Sequence, residues 1–321
     1  MKSLFPRAFL RSAAIAAGLA VAGAAVAVDN VKMMIPANPG GGWDTTGREL
    51  GKAMLASGAV KNIQYDNKGG AAGAIGLAQF VAASKGDPNA LMMGGMVMVG
   101  GLIQNKSAVT LAQVTPIARL TSEYEVIVVP ASSPIKDMKD LMARFKANPG
   151  SISWGGGSAG GTDHILAGLL AKAVGVEPGK VNYVPFKGGG EAVAAIIGGH
   201  VSVGVSGLSE FAQHIQSGKM RALGVSSAAK IGNIASLKEQ GFDVELANWR
   251  GIFGAPGITK EQQAALVKAV ETATMHASWA ETLKKQDWTA YWLPGEQYGA
   301  FIKEENKRIG EILAGLSLGK K

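Results

Sequence analysis

Short apolar, β-branched runs alternate with longer stretches of helical period along nearly the whole chain. The apolar runs predict strands near 31–35, 63–65, 91–93, 117–120, 126–129, 152–154, 181–184, 201–205, 222–225 and 252–254. Apolar residues three and four apart predict helices between them at 45–56, 74–84, 136–146, 162–174, 191–197, 208–216, 260–275 and 296–313. Asp44, Thr162 and Thr259 stand where an N-cap side chain would accept from the first free N–H groups of a helix. Such alternation argues for an α/β protein built from parallel βαβ units. Composition breaks at Pro130-Ala131-Ser132-Ser133-Pro134 and at Pro256-Gly257, just after the strand near 252–254, predict two chain crossings between two lobes. Lobe 1 would comprise 28–130 plus 251–321, and lobe 2 would comprise 131–250. Tyr298, Phe301, Ile302, Ile309 and Ile312 share a helix face that would pack the tail back on lobe 1.

Glycine changes this picture from architecture to chemistry. The chain holds 45 glycines in 321 residues, and three triplets, 40–42, 155–157 and 188–190, each follow a predicted strand and lead into a predicted helix. A strand that ends in glycines can turn successive N–H groups inward, and the following helix start adds its positive end, which together make a nest for a carboxylate or phosphate. Gly-rich βα turns are also common in any α/β protein. All three triplets fall at the carboxyl ends of strands, where open α/β sheets bind ligands, and a shared anion site is the expectation.

Lys2, Arg7 and Arg11 precede an apolar stretch at 13–26 that closes with Ala25-Val26-Ala27, the pattern of a secretory signal peptide covering 1–27. With no cysteine the chain carries neither a disulfide framework nor a lipid-attachment thiol, so an exported, soluble periplasmic protein is expected. Removing 1–27 takes three of the 32 basic residues and none of the 24 acidic ones. The remaining positive balance suits an anionic ligand. Basic residues reach only pairs such as Lys284-Lys285 and Lys320-Lys321, without interleaved aromatics, so no nucleic-acid partner is expected.

The segment 152–164 satisfies rival motifs. Gly156-x-Ser158-x-Gly160 fits a nucleophile elbow, which would make the chain a secreted serine hydrolase with Asp243 and His276 as partners, although His276 ends a long amphipathic helix. Gly155-x-Gly157-x-x-Gly160 fits a dinucleotide fingerprint, but the next strand closes on Lys187 where an acid should stand. Four histidines, His164, His200, His214 and His276, none paired at helical spacing, argue against a metal site, and no cofactor is expected. In a binding reading, the hydroxyls of Ser158 and Thr162 and the N–H groups of Gly160 and Gly161 donate to an oxyanion. Charge-assisted hydrogen bonds of about 1.5–3 kcal/mol each would hold it without a catalytic base. Asp44 reads as a cap rather than a ligand contact. Trp43 reads equally as a lid or as packing against the hinge. Lys187 and Arg250 are either solvated or hinge-packing side chains or, for Arg250, a bidentate clamp on a distal carboxylate. Met92, Met93, Met96 and Met98 read as core.

Five motifs in order carry a resemblance: Pro36-x-x-Pro39-Gly-Gly-Gly-x-Asp44, Asn67-x-x-Gly70-Ala-x-Gly73-x-x-Gly76, Gly157-Ser-Ala-Gly-Gly-x-x-His164, Pro185-Phe-Lys-Gly-Gly-Gly-Glu-Ala192 and Gly198-Gly-His200. The chain resembles the Bug family of periplasmic receptors, the substrate-binding components of tripartite tricarboxylate transporters. Its Gly40-Gly-Gly-Trp43-Asp44 and Asn248-Trp-Arg-Gly251 wording is most similar to the tricarboxylate-binding branch. The resemblance implies a type II, two-lobe Venus-flytrap fold, no enzymatic activity, and a monomer that hands a carboxylate such as citrate to a large and a small membrane subunit. It places the ligand on Gly41, Gly42, Trp43, Asp44 and Thr45 after the first strand, and on Ser158, Gly160, Gly161, Thr162 and Asp163. Lys187, Gly188 and Gly189, with Ser206 and Arg250, complete the expected set.

Overall fold

The computed structural model of the protein describes residues 28–316, so the signal peptide expected at 1–27 lies outside the described residues. The chain opens with β1 (Asn30–Ile35), α1 (Gly42–Ala56), β2 (Asn62–Asn67), α2 (Ala74–Ala83), β3 (Ala90–Gly95) and α3 (Met96–Gln104). A long strand, β4 (Thr115–Pro130), leads to α4 (Met138–Ala147), β5 (Ser153–Gly156), α5 (Thr162–Ala173), β6 (Asn182–Pro185) and α6 (Gly189–Ile197). Next come β7 (Val203–Gly207), α7 (Leu208–Gln216), β8 (Met220–Val225) and the return strand β9 (Ala247–Gly254). The chain finishes with α8 (Lys260–Thr274), α9 (Ala277–Gln286), β10 (Thr289–Pro294) and α10 (Gly295–Gly315).

Two sheets share β4. Up to Tyr124 this strand pairs with β9 and β10, and from Glu125 onward it pairs with β7 and β8. The hydrophobic pattern predicted two short strands here. Polar residues at 121–125 hid the continuity, since Thr121, Glu123 and Glu125 are buried where the sheets meet. Parallel pairing is confined to β1 with β2 and β3 and to β5 with β6 and β7. The strands that carry the chain between the sheets, β4 and β9, run antiparallel to their neighbours, so the wholly parallel expectation gives way to mixed sheets.

The methionine cluster is core as expected: Met92, Met93, Met96 and Met98 are fully buried. The last two of these lie in α3, a helix that its Gly100-Gly101 pair concealed, because glycine disfavours a helix by about 1 kcal/mol. Tertiary packing overrides that preference, since a side chain at Gly100 would run into the carbonyl of Gly160. Thr259 caps α8 as expected, accepting from the Gln262 N–H at 3.2 Å. Gly41 and Gly161 hold the N-cap positions of α1 and α5, which moves Asp44 and Thr162 into the first turns of those helices. No helix among the described residues is long and apolar enough to cross a membrane.

Candidate functional site

The carboxyl ends of the strands face each other across a cleft between the two sheets. The β1–α1 turn supplies Gly41, Gly42 and Trp43, the β5–α5 turn Gly157, Ser158 and Asp163, and the β6–α6 turn Lys187, Gly188 and Gly189. A fourth strand-to-helix turn adds Ser206, Gly207 and Glu210, and β9 lays Asn248 and Arg250 along the floor. The starts of α1, α5, α6 and α7 therefore all reach the cleft, each with N–H groups that have no intrahelical acceptor and with the positive end of its dipole. Only about 80 Å³ remains between these walls, room for a few waters. The turns are in contact. Asn38 Nδ2 donates to Glu191 Oε1 at 2.6 Å, and the Asn38 N–H donates to the Lys187 carbonyl at 3.4 Å. The backbones at Gly41 and Gly189 approach so closely that a Cβ on Gly41 would stand 2.9 Å from the Gly189 nitrogen.

The floor is charged and nearly dry. Arg250, 2% exposed, donates through Nη2 to Glu123 Oε1 and lies 3.4 Å from Glu210 Oε1, with its guanidinium 5.3 Å from the centre of the Trp288 ring. Trp288 Nε1 and Ser209 Oγ both donate to Glu123 Oε2 at 2.9 Å. A bidentate clamp by Arg250 on a ligand is thereby ruled out in this arrangement, because Nη2 is committed. Its Nη1 is buried and has no partner among the described residues. Behind this pair, burial raises Glu125 well above the carboxylate range, and the neighbouring Asp163 and Glu123 add to the shift. Burial also raises Asp163, partly offset by the Gly157 N–H, which donates to its Oδ2 at 2.5 Å.

Asp44 ties down the first turn instead of touching the cleft. Its carboxylate accepts from the Gly40 N–H at 3.1 Å, Arg48 Nε at 2.9 Å and Asn67 Nδ2 at 3.0 Å. Burial alone would raise its pKa, but these bonds together outweigh burial and the net shift is downward. A carboxylate with a depressed folded pKa stabilises the fold above its unfolded value, about 4, and that contribution disappears as pH falls through the folded value. Asp44→Asn should therefore flatten the acid limb of stability, read as the urea midpoint at pH 6 against about pH 3. Equal slopes for variant and parent would remove Asp44 from the account.

Other expected contacts are redirected inward. The Gly160 N–H donates to His164 Nδ1 at 3.1 Å, and the Gly161 N–H donates to the Ser158 carbonyl at 2.9 Å, so neither is free for an oxyanion. Burial lowers His164 to about 4, which keeps its ring neutral and able to accept; the ring stacks on Tyr183 at 4.2 Å. The Thr162 side chain is fully buried, and Thr45 does not line the cleft. Trp43 is 8% exposed and packs beside Gly73 and Gly95, which makes it wall rather than lid. Lys187 stands exposed at the mouth. The sequence reading missed Asn248 and Glu210. Asn248 precedes Arg250 by two positions on a strand and so shares its face, and Glu210 follows Ser206-Gly207, a turn with a single glycine and no triplet to mark it.

A family profile described as "Tripartite tricarboxylate transporter family receptor" matches residues 53–318. The chain belongs to this receptor family. The receptor is 32% identical over 197 residues to the UPF0065 protein in the gbd 5' region of Cupriavidus necator, a match that spans 60% of this chain and 59% of that relative. Its fold is that of the solved periplasmic binding protein BugD, with a TM-score of 0.79 at 22% identity over 90% of this chain and 98% of that one. MatC from Rhodopseudomonas palustris, solved with bound malate, gives a TM-score of 0.79 at 21% identity, covering 89% of the receptor and 99% of MatC. The Bug resemblance and the two-lobe α/β fold drawn from the motifs both hold. The serine hydrolase alternative does not. Its proposed histidine, His276, caps α9 and is engaged with Ser278, and Ser158 Oγ carries no hydrogen bond to a histidine among the described residues.

Proposed function

We propose that the receptor is periplasmic, that it closes on a small carboxylate, foremost a tricarboxylate such as citrate, and that it delivers this ligand to the large and small membrane subunits of its transporter. The supporting observation is the meeting of two glycine turns from opposite sheets, 40–42 and 188–190, over a floor that holds a guanidinium nitrogen without a partner among the described residues. In this reading lobe 1 is 28–130 with 251–321 and lobe 2 is 131–250, and the receptor acts as a monomer without cofactor. The ligand is held by Gly41, Gly42, Trp43, Ser158, Asp163, Lys187, Gly188, Gly189, Ser206 and Arg250. Binding favours the closed form by differential affinity, and the lobes must part to admit a ligand of the size of citrate.

A thermal-shift screen over mono-, di- and tricarboxylates tests this, because a ligand that binds only the folded state raises its apparent stability. At a hundred times Kd the gain is about 2.7 kcal/mol. Citrate should produce the largest shift, malate a smaller one and acetate none. A flat response to every carboxylate would overturn the assignment.

A further inference from the structure

The cleft holds more negative charge than a receptor for anions needs. Glu210, the third residue of α7, points toward both facing glycine turns: a Cβ on Gly189 would stand 2.5 Å from its Oε2, and one on Gly42 would stand 2.8 Å from its Oε1. The titratable groups around this carboxyl are Arg250 on β9, Glu123 and Glu125 on β4 and Asp163 on α5, with Lys187 at the mouth before α6; the uncharged Ser206 hydroxyl on β7 stands beside it. Arg250 is already bonded to Glu123, so a single cation is divided between two carboxylates. A ligand carboxylate set down beside an ionised Glu210 would meet a like charge in a water-poor space. Two carboxyl groups so placed hold one proton between them. One further atom marks this point as a subsite for an acid: Arg250 Nη1, a donor on β9 in the cleft wall, is buried and without a partner among the described residues.

We propose that Glu210 is a specificity-determining partner of the bound acid: the ligand carboxylate lodges between Arg250 Nη1 and the glycine turns and accepts a hydrogen bond from the protonated Glu210 carboxyl, the proton coming from bulk water. This rests on the carboxylate-receptor reading. Burial raises Glu210 to about 8, with Arg250 opposing the rise and Glu123 and Asp163 adding to it. An added ligand anion raises it further. Near neutral pH the acid form is therefore already present, and above pH 8 each bound ligand must bring a proton with it. Affinity then falls by up to about tenfold per pH unit.

Calorimetric titration with citrate and with malate, at about pH 7 and about pH 9 in buffers of different ionisation enthalpy, tests the proposal. The wild-type protein should bind up to about tenfold more weakly per unit above pH 8 and take up about one proton per ligand at pH 9. Glu210→Gln, which keeps a donor but cannot titrate, should lose both the slope and the proton uptake and bind at least tenfold tighter than Glu210→Ala. Binding with no pH slope in the wild type would overturn the proposal alone, without need of any variant. A retained slope in Glu210→Gln would do the same, as would loss of binding in a chelator, since the carboxylates would then be holding a cation. Absence of binding at both pH values would overturn the carboxylate reading as well.

Discussion

Gly41→Ala is expected to abolish tight binding while leaving the fold intact. The backbone at Gly41 is extended, with φ −102° and ψ 178°, so alanine adopts it without strain and stability should change by less than about 1 kcal/mol. The new methyl group would nevertheless stand 2.9 Å from the Gly189 nitrogen on the opposite turn. Backbone on both sides leaves nothing flexible to give way, and the two turns cannot meet. A ligand gripped from one side only loses the other side's charge-assisted hydrogen bonds. Two such bonds at about 1.5–3 kcal/mol each amount to roughly a hundredfold or more in Kd. Titration calorimetry gives the affinity and urea unfolding the stability. Wild-type affinity in this variant would show that the contact between turns has no part in binding.

Arg250→Ala is expected to act mainly on stability. Removing the guanidinium leaves Glu123, 2% exposed, with Trp288 Nε1 and Ser209 Oγ as its remaining partners among the described residues. Breaking one side of a buried ion pair costs about 3–5 kcal/mol because the remaining charge is uncompensated. The double variant Arg250→Met with Glu123→Gln removes both charges and should recover most of the loss. Urea midpoints of the single and double variants decide the matter, and equal losses would mean that the ion pair is not the cause. Where the single variant folds, it should bind citrate much more weakly, because Nη1 is a guanidinium nitrogen at the floor without a partner among the described residues.

The parts of the site that were legible in the sequence are those whose determinants are local. A glycine triplet between a strand and a helix states its own geometry, and the turns at 40–42, 155–157 and 188–190 each bring residues to one cleft. Thr259 with Gln262 is a capping box readable within four residues. What stayed hidden depends on pairing across the chain. Glu123 and Arg250 are 127 residues apart, and nothing in Thr121-Ser122-Glu123 marks it as the buried middle of a strand. A glycine loop advertises free N–H groups for a ligand, but at Gly160 and Gly161 His164 and the Ser158 carbonyl satisfy them locally. The two glycines that hide helix α3 serve close approach, Gly100 to the carbonyl of Gly160 and Gly101 to the side chain of Ala72.

Strand β4 belongs to both sheets at once, with residues up to Tyr124 bonded on one side of the molecule and those from Glu125 bonded on the other. Neither half can thus be cut away whole. A fragment beginning after Pro130 would leave β7 and β8 separated by an empty slot where the middle strand had been, with two rows of orphaned amides. Heat should take the molecule apart in one cooperative step, and exchange of a single lobe between relatives would have to carry half a strand with it.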